Sequence, residues 1–155
     1  MVKIMVKIEI KEEYDIVTAR VSAKEEAKKL GFGIVDQTRI ATAVSELARN
    51  IVDYAGEGVI EINIVRTEEA VEGSSSSRSG SGHHGEAGKR LGLEIIAADN
   101  GHGIEDIEKA LEDGFSTGGG LGIGLGGVRR LMDEFEIQSK VGEGTKVRVV
   151  KWKRI

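Results

Sequence analysis

The sequence predicts one α/β domain. Three observations carry that prediction: apolar residues alternate at period two over the first ten positions, two helical stripes follow, and two short strands flank a glycine turn at the end. At 155 residues the chain fits one domain with a real core and is short for two. Its 22 basic and 26 acidic side chains give a net charge of -4, so no overall basic field draws it to nucleic acid or an anionic membrane. No apolar run approaches the roughly 20 residues of a membrane span, and the alternating start lacks a signal-peptide core. A cytoplasmic protein is expected. The absence of cysteine removes disulfides, thiol catalysis and cysteine-ligated zinc. Proline is also absent, against an average usage of about 5%, which points to redesign or a restricted alphabet.

Val2, Ile4, Val6, Ile8 and Ile10 alternate with polar residues and define the first strand. Between Asp15 and Leu30, Ile16, Ala19, Ala23, Ala27 and Leu30 recur at helical spacing, and Gly31 and Gly33 end that helix. A second helix is expected from an Asp36 N-cap to Gly56, with Ile40, Val44, Leu47 and Ile51 as its apolar stripe. At about 100° per residue, Arg39, Thr42, Glu46, Asn50 and Asp53 fall within roughly 40° of Glu46 on another face. Glu46 and Asn50 therefore point the same way, one turn apart. Taken alone, that spacing describes the solvated side of any surface helix.

A strand at Val59 to Val65 precedes a composition break. From about Glu68 to Lys89 the chain has almost no apolar content and a Gly/Ser centre, the signature of a flexible linker. Leu91 to Asp99 reads as a central strand that delivers Asp99 to the sheet's end. A carboxylate there can accept a hydrogen bond from an exocyclic amine, as adenine offers. A helix is expected at Ile104 to Asp113, then a short GFSTGGG lid, then a helix carrying Leu125, Val128, Leu131, Met132 and Phe135 at core spacing. The GLGIGLGG start of that helix offers free amides and a positive dipole end to a polyphosphate. Strands at Glu134 to Val141 and Thr145 to Trp152 form a hairpin across GEG, with Gly144 suited to positive φ.

Each glycine cluster is a weak signal by itself; their order is stronger. A helix with ExxxN, a strand ending in DxGxG, a short lid, GxGxG opening a helix and a GxGT hairpin each occur once, in sequence. In this the chain resembles the GHKL ATPase superfamily, the Bergerat ATP-binding fold, over nearly everything except the Ser/Gly segment. The N box would be Glu46 to Asn50, the G1 box Asp99 to Gly103, the G2 box Gly118 to Gly126 and the G3 box Gly142 to Thr145. More narrowly, DQTRIATAVSELARNIVDYAG, IEDIEKALEDGFSTGGGLGIGL and VRRLMDEFEIQSKVGEGTKVRVVKWKR are similar to the RsbT type of bacterial anti-sigma regulatory serine kinases.

The resemblance implies a two-layer α/β sandwich, a mixed sheet covered by helices on one face, and ATP or ADP with Mg²⁺ as ligands. Asn50 would coordinate Mg²⁺ and Glu46 would act as base or orienting group for the acceptor hydroxyl. Asp99 would bind the adenine amine, supported by Thr145. Gly101 and Gly103 of the DxGxG turn, and Gly118, Gly119, Gly120, Leu121, Gly122 and Gly124 of the lid and helix start, would surround the nucleotide. The implied reaction is transfer of the γ-phosphate to a serine or threonine of a STAS-domain antagonist protein in a partner-switching stress pathway. A regulatory phosphatase or sigma factor and a homodimer are further candidate partners. His102 and Gly126 stand where the family commonly has proline. The alternatives are a nucleotide-binding switch module, or an engineered scaffold on the same fold, without useful kinase activity.

Overall fold

The computed structural model describes residues 2–68, 89–112 and 123–153. Strand β1 (Val2–Ile10) is followed by helices α1 (Glu13–Lys29) and α2 (Ile34–Asn50), and α2 runs on into one wide π-type turn, Ile51–Ala55. Then come β2 (Gly58–Glu68), β3 (Lys89–Asp99), the single-turn α3 (Ile107–Ala110), α4 (Gly124–Leu131), β4 (Glu134–Lys140) and β5 (Gly144–Trp152). The expected Ser/Gly linker falls on residues 69–88, and the lid with the start of the glycine-rich turn on residues 113–122; both lie outside the described residues.

The five strands form one sheet in the order β1-β2-β3-β5-β4. Every ladder among the described strands is antiparallel, where the resemblance implied a mixed sheet. The connections explain the difference. A single helix after β1 would return the chain for a parallel strand, but two helices bring it back to the end that β1 has just left. Gly58 of β2 accordingly pairs with Ile10. As a result the ends Ile10, Gly58, Asp99 and Gly144 meet at one rim of the sheet, through the pairs Ile10–Gly58, Gly58–Asp99 and Asp99–Thr145.

Helices and sheet share one apolar core. Ile16, Ala19, Ala23 and Ala27 of α1 and Ile40, Val44 and Leu47 of α2 pack with Ile60 and Ile62 of β2, Leu93 and Ile95 of β3, and Val147 and Val149 of β5. The alternation of these strand residues assigns them to one sheet face. The opposite face holds a small cluster of Val65, Val150 and Trp152, beside a polar network in which Asn63 donates to buried Glu94 and Glu94 pairs with Arg148. One layer of helices on one face of a sheet is the two-layer sandwich that the resemblance implies.

Three boundaries differ from expectation. Helix α2 starts at Ile34 after an extended Gly33, with the Gln37 N–H donating to the Gly33 carbonyl, so Asp36 lies inside the first turn instead of capping it. There it suits the positive helix end and pairs with Arg39 at 3.0 Å. The helix expected at residues 104–113 shrinks to Ile107–Ala110, because the Ile104 N–H is claimed by the Ser139 hydroxyl at 2.6 Å and Asp106 caps the turn from outside. Helix α4 stops at Leu131, whose carbonyl accepts from Lys151 Nζ, and Phe135 belongs to β4.

Candidate functional site

At the sheet rim, residues of the C-terminal half of α2, the start of α4 and the ends of β3 and β5 line a cleft of about 280 Å³. That is near the roughly 300 Å³ lower bound of small-molecule sites. Of the residues singled out by sequence, Glu46, Asn50, Asp99, Gly103, Gly124 and Thr145 all line this one cleft. Gly101 instead sits under it against Ala55. Gly118, Gly119, Gly120, Leu121 and Gly122 lie outside the described residues.

Local structure sets each of these side chains. Asp99 is the last residue of β3, and its Oδ1 accepts the Gly101 N–H at 2.9 Å, an Asx turn that folds the NGHG segment back on the strand. That segment is tied to the neighbouring hairpin: Gly142 donates to the His102 carbonyl at 2.9 Å. Gly103, at φ +77°, lies so near Lys140 that an added Cβ would sit 2.3 Å from its carbonyl oxygen. Glycine is thus required here for loop-to-loop contact, a cause that composition alone does not separate from approach to a ligand. Thr145 stands opposite Asp99 in the ladder, and its Oγ1 is 2.8 Å from Ser139 Oγ.

Leu47, Ile51, Ala97, Ile104, Leu125 and Val147 give the cleft an apolar lining, and Asp99 joins them in it. An apolar lining with a carboxylate acceptor suits a flat base bearing an exocyclic amine. Charged residues line the cleft as well. Glu46 is only 7% exposed, and its carboxyl is raised above the usual range, chiefly by burial, with Arg49 lowering it and Asp53 raising it. Asn50 lies one helical turn further along.

Sequence reasoning missed one lining group, Tyr54, and one residue that holds lining residues in place, Ser139. Tyr54 joins the cleft through the π-type turn, a widening that has no signature in residue spacing. Ser139, whose hydroxyl links Ile104, Gly144 and Thr145, sits in an unremarkable strand. Its polar character within EFEIQSK is the one signal available.

An antiparallel sheet with helices on one face, and a rim cleft lined by apolar residues and carboxylates, is consistent with the ATPase-domain family that the sequence matches. The chain belongs to the histidine kinase-, DNA gyrase B- and HSP90-like ATPase family, whose profile matches residues 35–154. It is 52% identical over 147 residues to the serine/threonine-protein kinase RsbT of Bacillus subtilis (strain 168), covering 95% of this chain and 96% of that protein. It is 33% identical over 116 residues to the anti-sigma F factor of Thermoanaerobacter sp. (strain X514), covering 73% of this chain and 68% of that protein. Among solved structures, the RsbU and RsbW domains of a Mycobacterium tuberculosis protein superpose with a TM-score of 0.52 at 17% identity. That match covers 97% of this chain and 34% of the other, and it bears on the fold alone.

Proposed function

We propose that this chain is an ATP-dependent serine/threonine protein kinase that phosphorylates a STAS-domain antagonist protein in a partner-switching stress pathway. The observation that carries the reading is that buried Glu46, Asn50 one turn along the same helix, and Asp99 line one cleft. The near full-length likeness to a protein named as a serine/threonine kinase supports it.

Phosphoryl transfer asks for position and charge neutralisation more than for covalent chemistry by the protein. The adenine amine donates to Asp99 while the apolar lining holds the ring, leaving the triphosphate to run toward α2. Asn50 supplies a neutral oxygen, the donor type that suits Mg²⁺, and exposed Asp53 provides a carboxylate nearby on the same face. The donor set therefore fits a metal that takes its remaining ligands from phosphate and water. When bound, Mg²⁺ supplies charge neutralisation at the phosphates. Glu46 accepts the proton of the acceptor hydroxyl as that oxygen bonds to the γ-phosphorus and the bond to the bridging oxygen of ADP breaks. A carboxyl whose pKa is raised by burial is a stronger base than an exposed one.

The test combines calorimetric titration with Mg-ATP and labelled-phosphate transfer to a STAS-domain serine. The parent should bind and transfer, and Asn50→Ala should lose both activities. A parent that binds nucleotide yet transfers phosphate to no acceptor, and not to water, would replace the kinase reading with a nucleotide-binding switch. The same pathway places the protein in the cytoplasm; among the described residues no helix is long and apolar enough to cross a membrane.

A further inference from the structure

The charges lining the cleft do not match the ligand proposed for it. Glu46, Asp53 and Asp99 contribute carboxylates, while Arg49 is the one Lys or Arg among the described lining residues. The glycine-rich stretch from Asp113 to Gly127 contains no Lys or Arg either. A polyanionic triphosphate approaching Glu46 and Asp53 meets repulsion, and beside the Mg²⁺ that would accompany it Arg49 is the one guanidinium among the described lining residues that can offset it.

Arg49 is placed to do so. It is three residues after Glu46 on α2, so the two side chains are neighbours on the helix surface. In the structure its Nη2 donates to Glu13 Oε1 at 3.1 Å, joining the end of α2 to the first turn of α1. The Arg49 side chain is 29% exposed and that of Glu13 is 76% exposed. Pairs with so wet a partner contribute little, whereas a phosphate can take two parallel hydrogen bonds from a guanidinium.

We propose that Arg49 binds the terminal phosphate of the nucleotide, exchanging Glu13 for it, and that the Glu13–Arg49 pair is a latch that sets the preference for ATP over ADP. This rests on the nucleotide site proposed above and goes further, assigning the γ-phosphate contact to a residue inside the ExxxN segment. ADP ends one phosphate short of Arg49 and leaves the latch closed.

The experiment is calorimetric titration with ATP and with ADP, in excess MgCl₂, of the parent, Arg49→Ala, Arg49→Lys and Glu13→Gln. Arg49→Ala should weaken ATP about ten- to a hundredfold, as loss of a charge-assisted contact does, and leave ADP within about twofold. Arg49→Lys, which keeps the charge without the fork, should fall between. Glu13→Gln should tighten ATP by up to about fivefold, the worth of an exposed pair, with ADP unchanged. An unchanged ATP-to-ADP affinity ratio in Arg49→Ala overturns the inference while the nucleotide site stands. Should that variant not fold, Arg49→Lys with the parent's ratio, alongside Glu13→Gln with no gain for ATP, overturns it equally. A parent that binds neither nucleotide overturns the reading of the cleft and the inference together.

Discussion

Asp99 and Thr145 face each other as register partners of β3 and β5, so the ladder itself, and not a loop, fixes where Asp99 stands in the cleft. Ser139 holds Thr145 from the other side, at 2.8 Å between hydroxyl oxygens, while accepting the Ile104 N–H. The acceptor proposed for the base is thus built on the most regular part of the fold, and a substitution there that keeps an acceptor for the Gly101 N–H leaves the adjoining loop held.

Asp99→Asn should weaken ATP binding roughly ten- to a hundredfold, because an amide can present a donor where the base needs an acceptor, a mismatch costing about 1–3 kcal/mol. The Asn carbonyl can still accept the Gly101 N–H, so the Asx turn and the melting temperature should persist. Equal ATP affinity in parent and variant, measured by calorimetry, would show that Asp99 does not contact the base.

The β4–β5 turn offers a matched pair of glycines. Gly142 has φ +81° and open space where a Cβ would go, while Gly144 has φ +108° and would place a Cβ 2.1 Å from the Asp99 carbonyl oxygen. Gly142→Ala should therefore cost only its backbone strain, about 1–2 kcal/mol. Gly144→Ala adds a clash with backbone that cannot step aside, for a total of about 2–5 kcal/mol. Urea denaturation should rank them in that order, and equal midpoints would mean that β5 and the Asn100 turn do not pack as closely as described.

Much of this arrangement was legible in the sequence because it follows from periodicity. The period-two run, the stripe Ile40, Val44, Leu47 and Ile51, and the shared face of Glu46 and Asn50 are consequences of strand and helix geometry; the stripe and the shared lining recur in the structure, and the strand alternation recurs from Val6 to Ile10, whereas Ile4 is exposed beyond a register shift. What periodicity cannot express is competition between elements. Ile104 is kept out of its helix by a hydroxyl 35 residues away, and α4 is cut short where Lys151 meets the Leu131 carbonyl. The direction of β2 depended on counting two helices after β1, a topological fact to which no local pattern corresponds. Tyr54 required a π-type turn.

Glu68 and Lys89 are the last described pair of the β2–β3 ladder, and antiparallel neighbours of this kind can be joined by a two-residue Asn-Gly turn. Replacing residues 69–88 by such a turn should leave the sheet intact. Closing a shorter loop costs less entropy, so stability should stay level or rise by up to about 2 kcal/mol. Circular dichroism and a thermal melt check this, and a shortened chain that fails to fold would show that residues 69–88 contribute to the domain's structure.

Glu46→Gln separates binding, chemistry and stability in one variant. Nucleotide affinity should be kept or tighten, since an amide of the same size removes a charge that repels phosphate, whereas transfer should fall by about 10²- to 10⁴-fold if the carboxylate takes the acceptor's proton. The pH dependence carries a sign. Burial raises the carboxyl's pKa in the folded protein, so the native state binds this proton more tightly than the unfolded chain does. Stability contributed by the group is then fully present below the unfolded value and is lost as pH rises through the raised folded value. At neutral pH the parent holds a desolvated charge that the variant lacks. Glu46→Gln should consequently melt higher than the parent at pH 7, and the gap should close as pH falls below the ordinary glutamate range. The parent's transfer rate should climb with pH through the raised value, and the residual rate of the variant should not. A variant that transfers as well as the parent would remove Glu46 from the chemistry, and one no more stable at neutral pH would show that the carboxylate is solvated well enough to ionise without cost.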